Sequence, residues 1–218
     1  MTENAAPPAR RSRLGSPLPK KFFDRPTEIV SRELLGAVLE CTTREGVTCG
    51  RIVETEAYLG PDDPACHAVA GLTLRTKHLF GPPGTSYVYR IYGMYWCFNA
   101  VTREHGHGSA VLVRAVHPTG GIELMRRRRP KAKRDRDLTS GPGKLCLAMG
   151  IVGTMSGKSL RSGPIVIRGG TAVPDAEVVV TPRIGITRAA EWPLRYLVRD
   201  DPYVSATPPA FSRASYQP

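Results

Sequence analysis

Arg51-Ile52-Val53-Glu54-Thr55-Glu56-Ala57-Tyr58 is the stretch that decides how the chain is read. It is dense in β-formers and passes through Leu59 into Gly60-Pro61, which predicts a strand entering a loop. Side chains alternate along a strand, so Ile52, Glu54, Glu56 and Tyr58 share one face. Val53, Thr55 and Ala57 share the other, which has the composition of a packed surface. The first face carries two carboxylates and an aromatic ring at the mouth of a loop. Glutamates at this spacing ordinarily mark a solvated strand face, because acidic side chains are seldom buried. If this pair is buried, a cation must lie opposite it.

The segments before it complete a hairpin. A helical period starts after Pro26 with Thr27, Glu28, Ile29 and Val30 and can end at Gly36. Residues 37–42 and 47–58 then read as two strands joined by Arg44-Glu45-Gly46. Downstream, residues 59–84 form a long connection holding His67 and the basic group Arg75, Lys77 and His78. Connections of this length more often serve function than passage.

Residues 85–99 predict a second hairpin turning near Tyr92-Gly93. Tyr87, Tyr89 and Ile91 share a face of its first strand, and Tyr95, Cys97, Asn99 and Val101 a face of its second. So many aromatics suit a sheet core, but a tyrosine at a hairpin tip in a basic protein also suits insertion between bases. The apolar strand at 110–116 is interrupted by Arg114, which needs a carboxylate if its base is buried, with Glu54 or Glu56 the candidates. A purely structural ion pair is the plainer alternative.

A helix at 122–129 ends in Arg126-Arg127-Arg128-Arg129 and meets Pro130, and the basic run continues to Arg136. Such runs are usually solvated, though this one could also follow phosphates. Ser140 is the expected N-cap of a helix running towards Met149, and Gly141-Pro142-Gly143-Lys144 at its start is an anion site in principle. Strands at 164–168, 178–181 and 195–198 follow, with Glu191-Trp192-Pro193 covering the core edge.

With 218 residues, 41% of them hydrophobic, the chain can form one sizeable core. No apolar run approaches the ~18 residues of a membrane span. The N-terminus lacks the apolar stretch of a secretory signal, so an intracellular protein is expected. Residues 1–20 read as a disordered basic arm, 21–205 as the folded domain, and 206–218 as a flexible tail. The net charge of +12 points to a polyanionic partner. The five cysteines, odd in number and without a C-x-x-C, predict free thiols rather than disulfides or a zinc site. His105-Gly106-His107 reads as a solvated turn.

Taken together, residues 51–60, His67, the run 87–95, Asn99, Val113-Arg114-Ala115 and residues 140–145 resemble the alkyladenine (3-methyladenine) DNA glycosylase family. The likeness extends roughly from Phe22 to Ser205 in family order. It implies an α+β fold: a single mixed domain with a curved antiparallel, open barrel-like sheet and peripheral helices. It also implies a monomeric, monofunctional hydrolase that needs no cofactor or metal, whose partner is double-stranded DNA containing damaged purines. By the same resemblance Glu56 is the base that activates water, and Arg114 helps to hold that water. Tyr58, His67 and Tyr89 wall the base pocket, with the His67 backbone N–H reading the purine edge. Asn99 crowds the guanine amino group and Tyr92 is the wedge, with Met94 and Lys144 also on DNA. The chain departs from the family pattern at residues 72–80, where no Asn follows Arg75, and at Cys66, where a small residue is expected. Both bear on pocket shape and lesion range. A non-enzymatic, lesion- or structure-specific DNA-binding protein is the alternative, but it leaves Glu56 and Arg114 without a task.

Overall fold

β2 (Gly46–Tyr58) is the spine of the structure, a computed structural model that describes residues 15–206. β5 (Ser109–Gly120) runs antiparallel along one edge of β2. On the other edge β1 (Val38–Thr43) covers the first half and β8 (Arg195–Val198) the second. Beyond β5 lie β4 (Tyr95–Thr102) and β3 (Ser86–Ile91), and beyond β1 lies β6 (Ile165–Arg168). The order is β3-β4-β5-β2-β1-β6, and β7 (Val178–Thr181) joins through β8. This curled antiparallel sheet, with a few helices, is the α+β architecture that the sequence predicts.

The helices are α1 (Lys20–Phe23), α2 (Thr27–Glu33), α3 (Ile122–Arg128) and α4 (Pro142–Met149). α2 packs on β2, and α4 on β4 and β5. The core includes Phe23, Leu34, Val53, Phe98, Val113 and Met149, all fully buried. Each such side chain contributes about 1.5–3 kcal/mol over exposure. Gly36 turns the chain from α2 into β1 at φ +86, and a Cβ there would lie 2.0 Å from the Thr171 carbonyl oxygen. Only glycine fits.

The expected alternation along β2 is half the picture. Every residue from Ile52 to Ala57 is buried, so both faces are packed. Thr55 donates to the Ser31 carbonyl of α2 at 2.9 Å. The opposite face holds Glu54 and Glu56. Pairing with β5 is irregular here: Ile52 faces Val116, Glu54 faces Ala115 and Thr55 faces Val113. Val53 is therefore an extra residue on β2 and Arg114 an extra residue on β5. Bulges of this kind re-aim side chains, and these two bring Arg114 onto the carboxylates.

Glu54 is the clamp of the sheet. Its Oε1 accepts from Arg114 Nε at 2.9 Å, Arg195 Nε at 2.7 Å and Ser205 Oγ at 2.7 Å, and its Oε2 accepts from the Ser205 backbone N–H at 2.7 Å. Burial alone would raise this carboxyl, but Arg114, Arg195 and Ser205 outweigh it and hold it below the ordinary range.

Several expectations are corrected. Ser140 is not the N-cap of α4. Pro142 occupies the first turn, so Gly141 is the cap at φ +134, and Ser140 bridges to Ala115 of β5 instead. The basic run at 126–136 is largely solvated, as such runs usually are, and three of its arginines also meet acids: Arg126 pairs with Glu123 and Asp135, Arg128 with Glu45, and Arg134 with Asp137. His107 is half-buried rather than solvated, and its Nδ1 is buried without a hydrogen-bond partner among the described residues. Apart from residues 15–20 and 206, the expected arm and tail lie outside the described residues. Residues 16–18 lie along β6, with Leu18 donating to the Ile167 carbonyl at 2.9 Å, and Lys20 begins α1.

Glu54→Gln removes the charge that holds two buried guanidiniums, so a loss of about 3–5 kcal/mol is expected in denaturant unfolding at neutral pH. The native carboxyl is depressed from 4.5, so its contribution is present above that value and lost as pH falls through the lower, folded one. The gap between parent and variant should therefore narrow in acid.

Candidate functional site

A cleft of about 380 Å³ opens beside β2, lined among others by Tyr58, His67, Tyr87, Tyr89, Asn99 and Arg114. Five pieces of chain supply most of the lining, one of them the short segment Ile184-Gly185-Ile186. β2 delivers Tyr58 and β5 delivers Arg114. β3 and β4 deliver Tyr87, Tyr89, Cys97 and Asn99. The 59–84 connection folds back so that a short 3-10 turn, His67–Ala70, forms the wall.

Glu56 lies fully buried behind the lining, bonded to three residues that form it, Tyr58, Arg114 and Ile184. Its Oε1 accepts from the Ile184 backbone N–H at 2.8 Å and lies 3.2 Å from Arg114 Nη1. Its Oε2 accepts from the Tyr58 hydroxyl at 3.0 Å. One guanidinium thus joins both glutamates, with Nε on Glu54 and Nη1 on Glu56. The two carboxylates are not equivalent. A carboxylate offers about four lone-pair sites, and Glu54 meets four donors, so it is saturated. Glu56 retains acceptor capacity, next to side chains that line the cleft. Burial and Glu56 push the Tyr58 phenol well above its ordinary value, so it remains a donor.

The aromatic wall is interlocked. His67 Nδ1 lies 2.9 Å from the Tyr87 hydroxyl, and the His67 ring meets the edge of Tyr89 with centroids 4.5 Å apart. Tyr87 and Tyr89 lie 5.3 Å apart at 31°. Burial pushes Tyr87 up to about 12 and Tyr89 well above its usual value. Burial, with Arg75 nearby, lowers His67, leaving a neutral ring at neutral pH. Asn99 is buried and its Nδ2 donates to the Tyr87 carbonyl at 3.1 Å. The His67 backbone N–H heads its turn, ahead of any bond within it.

Tyr92 stands at the hairpin tip, 83% exposed, and Met94 beside it is 66% exposed. Tyr92 has φ +50 and Gly93 φ +67, the two positive values that a primed hairpin turn requires. For tyrosine this is a strained backbone, of the sort that collects at functional sites. Tyr92 lines the cleft as well. Lys144 is exposed in the first turn of α4 and lines a neighbouring groove with Tyr92, Tyr95 and Arg129. The structure thus gathers Glu56, Arg114, Tyr58, His67, Tyr89, Asn99 and Tyr92 around one cleft, with Met94 beside it at the hairpin tip and Lys144 in the adjoining groove. No group of three metal-ligating side chains occurs among the described residues.

Sequence reading missed an inner support. Asp63 and Arg183 are fully buried as side chains and form a two-point ion pair, with Arg183 Nη2 on Asp63 Oδ1 at 2.8 Å. Arg183 also donates to the Ala57 carbonyl at 2.9 Å and lies over the Tyr58 ring at 4.7 Å. The next residue, Ile184, supplies the N–H on Glu56. Arg195 was missed too, although an arginine inside the apolar strand Arg195–Val198 carries the same signal as Arg114.

A family model described as methylpurine-DNA glycosylase matches residues 21–202. The chain is 46% identical over 196 residues to a protein of Methanocella arvoryzae, covering 88% of this chain and 97% of that one. A Myxococcus xanthus protein is 47% identical over 195 residues, covering 88% and 95%. A Legionella pneumophila (strain Corby) protein is 44% identical over 193 residues, covering 87% and 98%. Each carries the provisional name 3-methyladenine DNA glycosylase. The chain belongs to the methylpurine-DNA glycosylase family. It is accordingly a DNA glycosylase, a hydrolase of base excision repair. No described helix is long and apolar enough to cross a membrane.

Arg183→Met leaves the Asp63 carboxylate buried and unpaired, and should lower stability by about 3–5 kcal/mol. Adding Asp63→Asn should restore part of that loss. Urea midpoints of parent, single and double variants check both expectations.

Proposed function

We propose that this protein flips alkylated or deaminated purines, of the 3-methyladenine, hypoxanthine and ethenoadenine class, out of duplex DNA. Glu56 then activates a water that hydrolyses the N-glycosidic bond. The observation that carries this reading is the unequal duty of the two glutamates: Glu54 is saturated by four donors, whereas Glu56 keeps acceptor capacity beside Arg114 and Tyr58.

A base in a duplex is out of reach and must be extruded at a cost of a few kcal/mol. Tyr92 offsets that cost by filling the gap, and its exposure and fixed turn suit the task. The extruded base stacks among Tyr58, His67 and Tyr89, and the His67 backbone N–H reads its edge. Electron-rich rings favour a cationic alkylpurine. Asn99, held by the Tyr87 carbonyl, crowds the position of a guanine amino group. Met94 and Lys144 meet the flanking DNA.

Water is held beside the Arg114–Glu56 pair, at the acceptor capacity that Glu56 keeps. Glu56 takes one of its protons while the oxygen bonds to the sugar C1′ and the bond to the purine breaks. The base leaves with the bonding electrons. A cationic lesion departs neutral and needs no acid, whereas a neutral lesion takes up a proton. General-base help of this kind is worth about 10²–10⁴-fold. Arg114 holds the carboxylate in its orientation.

Glu56→Gln should keep binding to hypoxanthine-containing duplex while abasic-site formation stops. Excision at the parental rate would refute the assignment. Tyr92→Ala should weaken lesion binding and abolish the fluorescence rise of a reporter base beside the lesion. An unchanged signal would remove Tyr92 from the wedge role.

A further inference from the structure

We propose that the loop at 71–77 carries a second DNA-contacting prong, Leu72 and Leu74, which enters the minor groove beside the Tyr92 hairpin. The inference rests on the glycosylase reading above and extends it to a surface that the reading leaves unused.

The four most exposed large apolar side chains among the described residues are Leu74 at 90%, Tyr92 at 83%, Leu72 at 72% and Met94 at 66%. They fall in two places only, the hairpin tip and this loop. Isolated exposed leucines are ordinary, but a pair held out on a fixed support is not. The support here is rigid. Thr73 Oγ1 and Thr76 Oγ1 lie 2.9 Å apart, and each hydroxyl also accepts the other residue's backbone N–H, at 2.8 and 3.2 Å. Thr76 Oγ1 donates to the Gly71 carbonyl at 2.7 Å, and the Lys77 N–H closes the turn on the Thr73 carbonyl at 2.9 Å. Thr76 is buried while Leu72 and Leu74 are not, so Thr76 forms the root and the leucines the tip.

Arg75 ties this loop to the hairpin. Its Nη2 donates to the Arg90 carbonyl at 3.4 Å, two residues before Tyr92, and its guanidinium lies 5.7 Å over the Tyr89 ring. The loop therefore reaches the outer side of Tyr89, a wall of the cleft that Tyr92 also lines. A second hollow of about 560 Å³, lined by Thr73, Arg75 and Arg188, shares Cys66 and His67 with that cleft. The occupant follows from charge. Arg75, Lys77 and Arg188 are exposed around the leucines, in a protein of net charge +12. Apolar side chains rimmed by cations match a groove floored by base edges and edged by phosphates, and leucine is among the residues that wedge base steps from the minor groove. An apolar protein partner would leave these cations without counter-charges.

The test compares parent, Leu74→Ala and the double variant Leu72→Ser/Leu74→Ser on a short duplex with one hypoxanthine, and on the same duplex with a stable abasic analogue. The leucines make no core contact, so melting temperatures should match. The double variant should bind either duplex roughly tenfold more weakly, and Leu74→Ala should bind with intermediate affinity. The slope of affinity against salt should not change, because no charge is removed, whereas Lys77→Ser should lower that slope by about one. A fluorescent base placed opposite the lesion should report less unstacking with the double variant. Parental affinity and parental fluorescence in the double variant would overturn the prong and assign the leucines to a protein partner or to solvent. A parent protein that neither excises hypoxanthine nor prefers the lesion duplex would overturn the reading of the site, and the prong with it.

Discussion

Arg114 is the residue on which the rest of the structure depends. Its guanidinium lies between two fully buried carboxylates, shared with Arg195 at Glu54 and alone at Glu56 as the paired cation among the described residues. Burying a charge is costly unless it is paired and hydrogen-bonded. The paired bulges in β2 and β5 let one arginine reach both. Charge balance extends through the site: Glu54, Glu56 and Asp63 are matched by Arg114, Arg183 and Arg195, all buried. Such a network adds little net stability over an apolar core, but it fixes geometry, since removing any member strands its partner.

That economy divides labour between neighbouring glutamates. Glu54 ties β2 to β5, β8 and the segment at Ser205, and is saturated in doing so. Glu56 is held from three sides by Arg114, Tyr58 and Ile184, yet keeps room for another donor. The Asp63–Arg183 pair supports this second carboxylate indirectly, because Arg183 packs on Tyr58 and precedes Ile184. The carboxylate proposed as the base is thereby placed by sheet strands and buried ion pairs. The parts proposed to meet DNA, at the hairpin tip and the 71–77 loop, stand outside this frame on rigid turns.

Much of this was legible in the sequence for definite reasons. The 51–58 stretch is long, rich in β-formers and bounded by Gly60-Pro61, so its strand and the turn before it were readable. The tyrosine at the second hairpin turn was readable because Gly93 follows it. Arg114 stood out as a charge in an apolar strand, and its demand for a carboxylate was correctly foreseen as pointing to Glu54 or Glu56; the structure gives it both. What stayed hidden depends on distant packing. Asp63 and Arg183 are far apart in the chain and carry no local pattern, and residues 184–186, which line the cleft and place an N–H on Glu56, look like an ordinary turn in the sequence. The bulges could not be read, because a strand sequence does not disclose where its partner slips by one residue. Ser140 misled because its residue type suits a cap, while Pro142 had already set the helix start one residue later.

The central claim is that one forked guanidinium must hold both carboxylates for the chemistry to run. Single-turnover base release by Arg114→Lys, on saturating hypoxanthine duplex, tests it most directly. Lysine keeps the charge but presents a single point in place of the planar fork. The account predicts retained lesion binding with release slowed roughly a hundredfold. Release at the parental rate by a folded Arg114→Lys protein would contradict it.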